Sequence, residues 1–140
     1  MRKIILLVLL CPIVFFSSCK EEKKIENTQM KEVMAIHNEV MPKMSELGRL
    51  VGELTSKEKD STDFRPQYEK GRKDLQEAHK SMMDWMKEFG DRFDHDEVLN
   101  GKELSDQKMQ WLDEEEEKVK ALRKEINSSI ENAKILLKKN

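Results

Sequence analysis

Cysteine, proline and glycine are scarce in this chain of 140 residues, at two, three and five. Two cysteines, Cys11 and Cys19, cannot build the disulfide framework on which many small secreted domains rely. With so few helix breakers, aromatics at 6% and charged residues at 39%, the composition points to long helices rather than to sheet or disorder. A surplus of charge of one sign is missing as well. The 26 basic residues face 28 acidic ones, so there is no electrostatic case for binding nucleic acid or anionic lipid. Reactive motifs are also lacking: no glycine-rich phosphate loop, no nucleophile elbow, no Cys-x-x-Cys and no His-Glu-x-x-His. The expectation is a protein that is not an enzyme and carries no cofactor.

What is present begins at the N-terminus. Met1-Arg2-Lys3 precedes an apolar run from Ile4 to Phe16, then Ser17-Ser18-Cys19. A short basic region, about a dozen apolar residues and a small-residue site form the layout of a secretory signal. The run is too short to cross ~30 Å of hydrocarbon as a relaxed helix, and Pro12 interrupts it. Phe16-Ser17-Ser18-Cys19 resembles the bacterial lipobox, in which cysteine is lipidated and becomes the first residue after cleavage; Phe16 stands where an aliphatic residue is usual. Cleavage before Cys19 makes residues 1–18 a lipoprotein signal peptide and removes Cys11. Cys19 is then the lipid attachment site, and as a thioether it is inert where a free thiol would be a liability. Each buried methylene contributes ~0.8 kcal/mol, so two or three acyl chains (palmitate among them) anchor a protein that one chain would not. The following Lys20-Glu21-Glu22 resembles the export tag of Bacteroidota surface lipoproteins. Residues 19–27 therefore read as the lipidated cysteine and a charged tether, and the location as the bacterial cell envelope, on the outer membrane and facing outward.

The mature chain would keep 122 residues, one domain's worth, with 24 basic residues against 28 acidic. Its body, residues 28–140, divides into three helical segments at about 28–55, 66–89 and 105–138. In the first, Met30, Val33, His37, Val40, Met44, Leu47, Val51 and Leu54 recur at steps of three and four, a heptad seam. Pro42 predicts a kink near Ile36 to Val40, and Gly48 and Gly52 either weaken the last turns or permit close packing. The second seam is Tyr68, Arg72, Leu75, His79, Met82, Met86 and Phe89, opened by Pro66 in a first turn and closed by Gly90 as a C-cap. Residues 90–104 form an irregular connection with one short helical turn. Ser105 then caps the third segment, whose seam is Met109, Leu112, Glu116, Val119, Arg123, Ile126, Ile130, Ala133 and Leu137. Short loops between long amphipathic helices make neighbours antiparallel. The predicted fold is all-α, an antiparallel up-down-up three-helix bundle with coiled-coil-like helices.

Histidine and methionine at helical spacing form the one unusual pattern. Met34, His37, Met41 and Met44 recur in the first segment, and His79, Met82, Met83 and Met86 in the second. Pairing across the first turn sets His37 level with Met83 and Met86, and His79 with Met41 and Met44. Across the second connection, His79 falls level with Glu116. Methionine is a flexible core filler, and a buried histidine is commonly satisfied by a carboxylate such as Glu116. The alternative function is an extracytoplasmic soft-metal protein, with His37, Met41, His79 and Met83 as candidate Cu(I) ligands, since thioether and imidazole suit that ion. Asp94-His95-Asp96 opens like a calcium loop but fails at Val98, Leu99 and Ser105. Asp60-Ser61-Thr62 resembles a short Bacteroidota O-glycosylation sequon, which makes Ser61 a glycosylation candidate.

Three strings, residues 33–44 (VMAIHNEVMPKM), 78–86 (AHKSMMDWM) and 111–115 (WLDEE), resemble small Bacteroidota lipoproteins labelled "viral A-type inclusion protein". The resemblance covers most of the mature chain. It implies helices and no activity, so the expected role is an interaction or structural module. Its partners would be the membrane, through the lipid on Cys19, and an envelope protein.

Overall fold

The computed structural model describes residues 27–138, and every element among them is helical. The order is α1 (Thr28–Val40), α2 (Lys43–Asp60), α3 (Arg65–Arg92), α4 (His95–Leu99) and α5 (Asp106–Lys138). Asn27 starts α1 by accepting the Met30 N–H on its side-chain oxygen at 3.0 Å, which satisfies one of the donors a helix start leaves free.

The single first segment expected over 28–55 is two helices. The break falls at Met41-Pro42, just beyond the expected kink. Pro42 has no N–H to give the carbonyl four residues back, and Met44 bonds Met41 instead at 3.1 Å, a tighter turn. Met41 and Pro42 both keep right-handed helical angles, so the chain resumes as α2 without a loop. No part of the chain packs closely on Gly48 or Gly52, since a Cβ on either would meet nothing within 4 Å. Pro66 lies in the first turn of α3 as expected.

Gly90 does not end α3. The helix continues to Arg92 and is capped at Phe93, whose N–H bonds the Phe89 carbonyl. Phe93 is buried with its ring 4.9 Å from that of Phe89, and this burial outweighs the local freedom of glycine. The short turn expected in the connection is α4, started by a capping box between Asp94 and Glu97. Gly101 carries the one positive φ among the described residues, 69°, and Ser105 Oγ accepts the Lys108 N–H at 3.3 Å as α5 begins.

Polar contacts fix the helix directions. Gln29 meets Asp113 and Glu116, Lys43 meets Asn127, and Lys134 meets Glu46, so α1 and α2 run parallel to α5. Arg92 meets Glu114, Lys118 meets Glu88 and Ser81 meets Glu125, so α3 runs against α5. Leu54 beside Gly71, and Leu47 and Val51 across from Leu75 and His79, set α3 antiparallel to α2.

The core keeps the expected step of seven but corrects the positions between. Tyr68, Leu75, Met82 and Phe89 are buried, yet the intervening places belong to Gly71, Ala78 and Trp85 rather than Arg72, His79 and Met86. The same one-residue shift puts Ile36 inside instead of His37, Leu50 instead of Val51, and Leu122 instead of Arg123. Most of these exchanges bury the more apolar or smaller of two adjacent residues, which lowers the desolvation cost. Glu115 in place of Glu116 is the exception.

Candidate functional site

Of the four candidate metal ligands, His37 and Met41 lie on α1 and its C-cap, and His79 and Met83 lie on α3. His37 is half-buried, with its ring 5.8 Å from that of Trp85 and its Nδ1 3.1 Å from Asn38 Oδ1. His79 is exposed, and Met41 is half-buried against the core. Met83 is 37% exposed and Met86 38%, so the seam does not bury them. His79 lies six residues from Trp85 along α3, about 9 Å at 1.5 Å per residue, and so at a different level from His37. It is not level with Glu116 either. Ser81 faces Glu125, which moves the register about three turns along α5, because α5 extends about two turns past the end of α3, where Arg92 meets Glu114. Glu116 instead accepts from Gln29 at 2.6 Å and pairs with Lys120. Those two hydrogen bonds, the lysine's foremost, hold its carboxyl below the ordinary value. Among the described residues no group of three or more His, Cys, Asp or Glu is placed to hold a metal ion.

What His79 does line is a half-open cavity of about 150 Å³ between α2 and α3. Leu47, Gly48, Val51, Leu75 and Gln76 complete its walls, which are mostly apolar.

A second constellation, at the α4 end, escaped the sequence reading. The rings of His37, Trp85, Phe89 and Phe93 follow one another at 5.8, 5.0 and 4.9 Å. Charges close over this ladder. Arg92 lies 5.4 Å from the Trp111 ring and pairs with Glu114 at 2.7 Å and Glu115 at 2.9 Å. Lys118 joins Glu115 and Glu88, each at 3.1 Å. Burial disfavours the Lys118 charge, but those two carboxylates outweigh it and its pKa is raised. Lys108 pairs with the buried Glu97 at 2.6 Å and stands 6.0 Å from the Phe93 ring. Lys102 and the backbone N–H of Glu97 hold the Asp94 carboxyl below its usual range. Two buried atoms, Trp85 Nε1 and Glu115 Oε2, have no hydrogen-bond partner among the described residues. The seven-residue step through Tyr68, Leu75, Met82 and Phe89 could have placed Trp85 on the inner face. Glu115 holds the same place between Leu112 and Val119, but its charge and the acidic run around it spoke against burial.

Ser61 sits at the C-cap of α2, half-buried, and its Oγ accepts the Phe64 N–H at 3.3 Å. Cys19 lies outside the described residues. No described helix is long and apolar enough to cross a membrane. No family model, curated protein or solved structure matches the chain.

Proposed function

We propose that the chain is the precursor of a lipid-anchored envelope protein, cut before Cys19, whose helical body is a non-enzymatic interaction or structural module. One observation carries this reading: Phe16-Ser17-Ser18-Cys19 stands directly after a basic start and a short apolar run. The resemblance of three internal strings to Bacteroidota lipoproteins points the same way. We read the body as an up-down-up three-helix bundle, with α1 and α2 forming the first leg. The opposed direction of α3 relative to α2 and α5 supports that arrangement.

Anchoring would set the orientation. Thr28 opens α1 nine residues after Cys19, so the tether spans at most ~30 Å and the end carrying α4 faces the bilayer. The turn between α2 and α3 would then stand about 50 Å away, the length of the 33-residue α5. In this reading Lys20-Glu21-Glu22 directs the protein to the outer surface, where the far end meets an envelope partner.

The test is Cys19→Ala, followed by mass spectrometry of the N-terminus and protease shaving of intact cells. The substituted chain is expected to accumulate uncut and without lipid, and the native one to be lipidated and shaved. Normal processing of Cys19→Ala sinks the proposal. No observation favours the soft-metal alternative, since His37 and His79 stand at separate levels. Cu(I) titration against a competing chelator is expected to show no submicromolar binding that depends on both histidines.

A further inference from the structure

We propose that this protein pairs with a second copy of itself, α3 against α3 in antiparallel order, across the groove between α2 and α3. The groove has a neutral, methionine-rich rim. Gln76, His79, Met83 and Met86 follow one another up α3 at steps of three and four, all exposed. Across from them lies Gly48, exposed and open, where even a Cβ would meet nothing. A second helix can therefore approach the α2 backbone closely at this point.

The charges beside the rim name the occupant. The next stripe of α3 reads Lys73, Glu77, Lys80, Asp84, Lys87 and Asp91, strictly alternating in sign. About a two-fold axis level with Met82, an antiparallel copy sets Lys80 against Asp84, Glu77 against Lys87 and Lys73 against Asp91. A parallel copy would set each charge beside its own kind. Flanking charges of this sort decide partner and orientation in paired helices. In isolation Lys73, Lys80 and Lys87 pair along their own helix with Glu69, Asp84 and Asp91, so the second copy adds partners and relieves no lone charge.

The same register fills the cavity. It brings Met86 of one copy level with Ala78 of the other, at the mouth of the cavity lined by Leu75, Gln76 and His79. An apolar space of ~150 Å³ accommodates a group the size of benzene, and an unbranched thioether chain adapts to an irregular hole. By symmetry each copy supplies one knob and one hole, the signature of an isologous interface. This register pairs all six charges of the stripe, where a shift of one heptad leaves two unpaired, and the same register fills the cavity. The strip is about 27 Å long from Lys73 to Asp91 and roughly two helices wide, which is small for a stable dimer, so the pairing is weak and concentration-dependent.

Cysteine cross-linking of the full chain in cells tests this. Met83→Cys places a thiol within one turn of its mate across the axis, and Lys124→Cys places one on the exposed far side of α5. Mild oxidation is expected to give a disulfide dimer with Met83→Cys, above the background of the chain without an added cysteine, and none with Lys124→Cys. Adding Lys87→Glu opposes two acids at both symmetry-related pairs and should lower the cross-linked fraction roughly tenfold. Adding Glu77→Lys to that chain should restore it. Sedimentation of the unsubstituted protein should show a dimer growing with concentration. A monomer at every concentration, equal cross-linking at both positions, or indifference to the charge swap overturns the proposal. A monomer would leave the groove to a helix of another protein.

Discussion

Where α3 meets α4, rings and charges are buried side by side; near the turn from α2 into α3, the packing around Gly71 is aliphatic and tight. At the first end Trp85, Phe89 and Phe93 stack, and Glu97 and Glu115 are drawn inside with Lys108, Arg92 and Lys118 around them. At the second, Gly71 lets α3 approach so closely that a Cβ would lie 2.8 Å from Leu136 Cδ1 and 3.3 Å from Leu54 Cδ1. Both ends exclude water, but they meet the cost of buried polarity differently. The aromatic end leaves Trp85 Nε1 and Glu115 Oε2 without partners, and an unsatisfied buried group costs about 1–3 kcal/mol. The aliphatic end depends instead on fit.

The largest expected effect comes from emptying the ladder. Trp85→Ala should destabilise the fold by about 3–5 kcal/mol, read as a lower urea midpoint. A loss below about 1 kcal/mol would mean that the ladder is a consequence of packing and not its support. Next comes crowding at the other end. Gly71→Leu should cost about 1–3 kcal/mol, because backbone spacing is set there. Gly71→Ala should cost far less, since the Leu136 terminus can swing aside and helix propensity returns up to ~1 kcal/mol.

Glu115→Met should leave stability unchanged or raise it by up to ~1 kcal/mol. It removes a buried charge with one unpaired oxygen, while Arg92 keeps Glu114 and Lys118 keeps Glu88. A loss beyond about 2 kcal/mol would show that the cluster stabilises its end outright. Acid should have the smallest effect. The Glu116 carboxyl is held below its ordinary 4.5 in the folded state, so its contribution is complete above that pH and fades as pH falls through the lower folded value. Glu116→Gln should flatten part of that acid slope in a pH series of urea midpoints; an unchanged slope would assign the acid sensitivity elsewhere.

How far the sequence reveals each end follows from the same difference. The aliphatic end repeats every seven residues, and Tyr68, Leu75 and Leu54 were on the inner face from the start. Ser105 and Pro66 announced their helix starts by local chemistry, and Pro42 announced a kink where the chain in fact breaks into two helices. The aromatic end was harder to read. Gly90 looked like a stop, but a ring three residues on had a place to go. The seam named His79 and Met86 where Ala78 and Trp85 are inside, because periodicity alone does not choose between adjacent residues on a helix that touches two neighbours. Glu115 was hidden inside Asp113 to Glu117, five acids of which one is fully buried.

By itself the sequence determined that the described chain is helical, roughly where its long helices begin, and one of the two inner rows of each helix. Caps, prolines and the apolar period act within a few residues, so they are legible without a fold. Only the tertiary structure decided the rotation of each helix by one position, the register of α3 on α5, and the separation of His37 from His79. Those depend on which surfaces meet, a choice made by burial summed over several helices at once.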